Sequence, residues 1–219
     1  MNSKAFHPSQ RVGVFIDTQN LYHSARSLFH SNVNYKALVE TAVAGRKLMR
    51  AFAYVISSES GEETKFFEAL VELGIETRVK DLQIFYSGEK KADWDVGIAI
   101  DIVRMSEKLD AVVLVSGDGD FTEVLKYVRS RGIRAEVMAF KKTTSKTLLG
   151  ETDHYYDLGA DPAKFLIPAS RGGKSSRRTT KASGTAPKSP STSAKVAPKS
   201  SMKAPQKAST TTPAKKPRQ

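Results

Sequence analysis

Ala111-Val-Val-Leu-Val-Ser-Gly-Asp-Gly-Asp-Phe121 decides how this chain is read. Five apolar residues in succession, stopped by Ser116 and two glycines, mark a strand buried on both faces. The run ends in Asp118 and Asp120. An amphipathic stretch over 121–131 follows, closed by Gly132, a natural residue just past a helix end.

Working outward, the same alternation recurs. Residues 133–140 read as the next strand and 95–109 as the preceding helix. Near the start, Val12-Gly-Val-Phe-Ile-Asp17 is a second short apolar run that ends in an acid. Helices are expected over 19–30, 35–44 and 62–73, and strands over 48–56 and 75–80; a weaker pattern runs to about Leu158. Strands and helices in this alternation predict an α/β fold, a mainly parallel sheet covered on both faces, with right-handed crossovers. In such sheets ligands sit beyond the carboxyl ends of the strands, which is where both acidic run-ends fall.

The chain has 219 residues and a formal charge of +12, unevenly placed. Residues 171–219 hold 13 of the 35 Lys and Arg and no acid, so 1–170 carry 22 bases against 23 acids, a net of −1. The expectation is an N-terminal extension over 1–10, one domain over 11–160, and a linker and basic tail over 161–219. The tail is Lys, Ser, Thr, Ala and Pro, with Val196 and Met202 its larger apolar residues, so disorder is expected. It has no aromatic ring, so nucleic-acid binding by it would rest on phosphate charge and not on base stacking. The sequence contains no Cys, which excludes disulfides and thiolate metal sites. No apolar signal region opens the chain and no stretch reaches the roughly 18 apolar residues of a membrane span, so a soluble, cytoplasmic protein is expected. The oligomeric state is left open.

The chemistry concentrates in acids. Asp17 and Asp118 end strands on one predicted edge, and Lys90-Lys-Ala-Asp93-Trp-Asp95 opens the helix that carries Asp101. Carboxylates gathered there repel unless a cation binds or a proton stays on. Oxygen ligands with no Cys and no His in the motifs favour Mg²⁺ or Mn²⁺ over zinc. Each residue also has a plainer reading. Asp17 has the position of a helix cap. Asp120-Phe-Thr-Glu123 has the spacing of a capping box. Asp118, between glycines, suits a backbone with positive φ or one that a ligand approaches closely. Asp93 and Asp95 suit a first helical turn facing the dipole. Asp101 follows Asp95 by six residues, about 120° around a helix, so the two do not point at one spot on a regular helix. It lies on the row of Trp94, Ile98 and Met105, as an acid behind the site or at the core's edge. Asn20 and Ser116 could orient a water, a phosphate or an Asp, and Lys91 could meet a phosphate or simply be solvated. Phe66, Phe67 and Trp94 read as core.

These motifs in order, Phe15-Ile-Asp17-Thr-Gln-Asn20-Leu, then Lys91-Ala-Asp93-Trp-Asp95-Val-Gly-Ile-Ala-Ile-Asp101, then Leu114-Val-Ser-Gly-Asp118-Gly-Asp120-Phe121, resemble the NYN domain. More closely they are similar to its LabA-like branch within the PIN-like nucleases. One departure is Ala92, where members often carry Gly. The resemblance covers about residues 11–158 and implies a Rossmann-like three-layer α/β/α fold, an acidic pocket binding Mg²⁺ or Mn²⁺, and ribonuclease activity on RNA. By position it implies that Asp17, Asp95 and Asp118 hold the metal, that Asp120 is a further catalytic acid, and that Asn20 is the polar residue after the first strand. The tail would then bind RNA or other nucleic acid non-specifically. The alternative keeps the fold and the tail in a non-catalytic RNA-binding or regulatory adaptor. A phosphatase of the haloacid dehalogenase type is disfavoured, because its chemistry needs an acid two residues after the nucleophilic Asp, and Asp17 is followed by Thr18 and Gln19.

Overall fold

The computed structural model describes residues 6–57, 64–81, 83–84, 90–91 and 93–168. The chain runs β1 (Arg11–Asp17), α1 (Thr18–Phe29), β2 (Ser31–Val33), α2 (Tyr35–Val43), β3 (Lys47–Ser57), α3 (Thr64–Glu72) and β4 (Glu76–Asp81). It continues through two short strands, β5 (Gln83–Ile84) and β6 (Lys90–Lys91), into α4 (Asp95–Ser106) and β7 (Ala111–Val115). A 3₁₀ turn (Gly119–Phe121) leads to α5 (Thr122–Ser130) and β8 (Arg134–Ala139). A second 3₁₀ turn (Lys141–Thr143), α6 (Lys146–Gly150), β9 (His154–Asp157), α7 (Pro162–Phe165) and β10 (Leu166–Pro168) complete it.

Six strands form one sheet in the order β4-β3-β1-β7-β8-β9, each neighbouring pair parallel. The all-apolar runs follow from this. Successive side chains on a strand point to opposite faces. Val12, Val14 and Ile16 of β1 and Ala111, Val113 and Val115 of β7 join one core with α1, α2 and α3. Phe15, Val112 and Leu114 join the other core with α4 and α5. With helices on both faces, neither set can be polar. Gly132 has φ 75°, the left-handed backbone expected after α5.

The strand order reverses at β1. The chain first builds outward through β3 and β4, then returns to lay β7 on the opposite side of β1. The carboxyl ends of β1 and β7 therefore flank the switch point, the crevice where this fold class binds ligands.

Two expectations need correction. The linker expected from residue 161 begins later: α7 buries Phe165, and β10 pairs antiparallel with β2. Strands of three residues carry no readable period, and their pairing joins segments more than 130 residues apart, so no local pattern announces them. The glycines beside Asp118 also differ from expectation, since neither has a positive φ. The basic tail expected to be disordered, 171–219, lies outside the described residues.

Against the sheet, where Glu136 of β8 lies level with Val113 of β7 and Val14 of β1, Arg46 and Glu136 form a fully buried ion pair, with Nη1 to Oε1 at 2.8 Å and Nη2 to Oε2 at 2.9 Å. Arg46 also donates to Ala42 O, while Arg134 and the Tyr156 hydroxyl donate to Glu136. Every charge there has several partners, which is what burial of an ion demands.

Candidate active site

Asp17 is the last residue of β1 and the cap of α1. Its Oδ1 accepts the Asn20 N–H at 3.1 Å, and its Oδ2 accepts the Ser116 hydroxyl at 3.1 Å. The Ser116 Oγ in turn accepts the Asp118 N–H at 3.2 Å, and Asp118 Oδ1 accepts the Asp120 N–H at 3.0 Å. Asn20 reaches the other way: its Oδ1 accepts the Gly117 N–H at 3.0 Å. Two strand ends 99 residues apart in sequence are thus tied together by side chains that are themselves tied to backbone.

Asp95 enters from the first position of α4. The helix start is fixed by Trp94, whose Nε1 donates to Val55 O at 2.9 Å and whose ring lies under Lys80 Nζ at 4.7 Å. Lys80 also donates to Asp93 O. Burial, and then the charges of Asp118, Asp17, Asp93 and Asp120, push the Asp95 carboxyl up to about 6. Asp17 is also raised, by burial first; the hydrogen bonds from Asn20 and Ser116 oppose the shift and the Asp118 charge adds to it. The acids therefore share one electrostatic environment in which full ionisation is unfavourable.

Among the described residues no three His, Asp or Glu side chains converge as a ready-made metal cage. The donor set nevertheless fits a hard cation. It is all carboxylate, Asp118 Oδ2 takes part in no hydrogen bond among the described residues, and Mg²⁺ keeps several waters and takes only one or two carboxylates directly. A divalent charge would also relieve the repulsion that raises Asp95.

Of the residues singled out in sequence, Asp17, Asn20, Ser116, Asp118, Asp120 and Asp95 meet at this edge. Asp93 stands exposed just before α4, and Asp120 stands exposed in the 3₁₀ turn. The capping box does not form: Asp120 lies inside the turn, and the side chain that caps it is Asp118. Asp101 is held elsewhere. It accepts the Tyr54 hydroxyl at 3.0 Å, with Arg78 and Arg104 at 3.8 and 3.7 Å. The side chain of Lys91 lies outside the described residues. Neither Gly117 nor Gly119 has a positive φ. Their lack of a Cβ serves packing: one on Gly117 would meet Thr143 O at 3.1 Å, and one on Gly119 would meet Ser145 Oγ at 2.9 Å. The close neighbour is the chain's own loop.

Sequence reasoning missed Tyr35, which packs beside this site; burial and then the Asp17 charge raise its hydroxyl. It missed Lys80 too, because a lysine in a strand announces no partner. Thr18, whose hydroxyl donates to Tyr54 O at 2.6 Å, and Ser24, bonded to Thr143 at 2.9 Å, likewise brace the edge.

The sequence profile described as the NYN domain matches residues 11–159. The chain is 30% identical over 178 residues to the low amplitude and bright protein LabA of Synechococcus elongatus, spanning 76% of this chain and 92% of that protein. A crystal structure of a protein of unknown function from Vibrio parahaemolyticus superposes with a TM-score of 0.67 at 29% identity, covering 76% of this chain and all of that one. A match over the whole sheet, its acidic edge included, and a relative aligned over most of both lengths lead to one conclusion: this chain belongs to the NYN domain family, on its LabA-like branch.

Proposed function

We propose that the protein is a metal-dependent ribonuclease. The observation that carries this reading is the wiring of Asp17 through Ser116 to Asp118 at the switch point, with Asp95 brought beside them by α4. Asp17, Asp95 and Asp118 would hold Mg²⁺ or Mn²⁺. When bound, such an ion lowers the pKa of a bound water and offsets phosphate charge. Asp17 is held by two donors before any ligand arrives, so little reorganisation is needed. Asp120, exposed at the rim, accepts a hydrogen bond from the attacking water and aligns it. The new bond forms from that water to phosphorus, and the bond to the ribose O3′ breaks. The products are a 3′-hydroxyl and a 5′-phosphate.

The basic tail raises the local RNA concentration through phosphate contacts that carry no sequence information. Deleting 171–219 should weaken RNA binding and flatten its dependence on salt. An unchanged salt slope would remove the tail from this account.

The deciding experiment is a gel assay on end-labelled single-stranded RNA in Mn²⁺, Mg²⁺ and EDTA, with wild type, Asp17→Asn and Asp118→Asn. Cleavage by wild type alone, and only with metal, is the expected result. Uncut but shifted RNA in every lane would favour the adaptor reading.

A further inference from the structure

The two helices on the outer face of the second core, α4 and α5, leave an apolar stripe uncovered. Val96, Ile100 and Val103 are 68%, 43% and 40% exposed. Their i, i+4, i+7 spacing puts all three on one line of α4. The remaining exposed large apolar residues among those described stand one or two to an element. Beside the stripe, Ala99, Val124 and Tyr127 form the floor of a groove between the helices. A continuous patch of this kind marks an interaction surface, whereas isolated apolar residues do not.

The charges around the groove identify its occupant. Each helix leads into one of two neighbouring parallel strands, β7 and β8, so α4 and α5 run in the same direction. The common N-terminal end carries Asp93, Asp95, Asp120 and Glu123 against Lys80 and Lys126. The common C-terminal end carries Arg104, Lys108 and Arg131 against Asp101 and Glu107. One end is thus net negative and the other net positive, with an apolar middle. A surface with that polarity complements itself when turned end for end.

We propose that this face pairs with the same face of a second copy of the chain, about a two-fold axis that sets the helices antiparallel. Val96 then lies opposite Val103 of the other copy, and Ile100 sits near the axis. Glu123 faces Arg131 of the other copy across α5, and Arg104 faces the acidic start of the other α4. The chain's own tail is a poor substitute, since Val196 and Met202 are its only larger apolar residues. The exposed apolar part of the face is three residues of one helix, so the pair forms reversibly, as small interfaces do.

The test is sedimentation of the full-length chain from micromolar to sub-millimolar concentration, without RNA or metal, so the nuclease reading does not enter. The mass of wild type should rise with concentration toward twice 24.0 kDa. Ile100→Asp should stay monomeric throughout. Val96→Ser, at a largely exposed position, gives a milder version should the first variant fold poorly. Glu123→Arg and Arg131→Glu should each weaken the dimer several-fold, and together restore it. A wild type monomeric at the highest concentration, or a dimer indifferent to Ile100→Asp and Val96→Ser, would overturn the proposal. A double reversal that fails to restore association would overturn the antiparallel arrangement.

Discussion

Asp17 and Asp118 are joined through a single hydroxyl: Ser116 donates to the Asp17 carboxylate and accepts from the Asp118 backbone. Ser116 is fully buried, so water cannot replace it without rearrangement. Ser116→Ala leaves a buried Asp17 oxygen and the Asp118 N–H without this partner. If the proposed activity is present, the variant should lose about 10–100-fold in cleavage rate or metal affinity, the usual cost of a lost orienting group. Cleavage of labelled RNA across a Mn²⁺ titration measures both, and an unaltered curve would remove Ser116 from the site.

Gly117→Ala tests the loop packing. The new Cβ meets backbone, Thr143 O and Thr144 Cα, both at 3.1 Å. Backbone cannot step aside as a side chain tip can, so a destabilisation of about 1–3 kcal/mol is expected. Urea unfolding should show a lower midpoint with an unchanged slope.

Glu136→Gln leaves the Arg46 guanidinium buried without its counter-charge. Removing one partner of such a pair costs about 3–5 kcal/mol. Glu136 lies level with Val14, three residues short of Asp17 along β1, and the pair makes no hydrogen bond to the acids among the described residues, so surviving molecules should keep any RNA cleavage per folded chain. Thermal melts together with activity per folded molecule separate the two effects.

Acid should expose the Arg11–Asp110 pair. Hydrogen bonds from the Arg11 side chain and backbone hold the Asp110 carboxyl down at about 2, against 3.8 for an ordinary Asp. A depressed folded pKa means stability that is present above about pH 4 and is lost as pH falls toward 2. Asp110→Asn should therefore be less stable than wild type at neutral pH, with the gap closing over that window. Paired denaturation curves at pH 7, 4 and 2 would show it, and a gap constant with pH would contradict it.

How much of this was legible in the sequence differs residue by residue. The strand ends at Asp17 and Ser116 were readable because a sheet buried on both faces must be apolar until it reaches its edge. The displacement of Asp101 from Asp95 was readable from helical geometry alone. The roles of Gly117 and Gly119 were not, because the loop that crowds them lies some 25 residues away in sequence. The Asp120 to Glu123 spacing misled because a 3₁₀ turn intervened before α5 and moved the cap to Asp118. Tyr54 was hidden within an apolar strand; only packing shows its hydroxyl meeting Asp101. The pairing of β2 with β10 depended on two segments too short to carry a pattern.

The position of β1 between β3 and β7 also bears on biosynthesis. A ribosome releases β1, β3 and β4 first, and these can associate as they emerge. β7 arrives later and must close a loop of about a hundred residues to reach its place, a slow step for a parallel pairing. Until it docks, Asp17 stands alone, without Asp95, Ser116 or Asp118. An unfinished chain therefore carries no assembled acidic site, and the carboxylates come together only after most of the domain has been made.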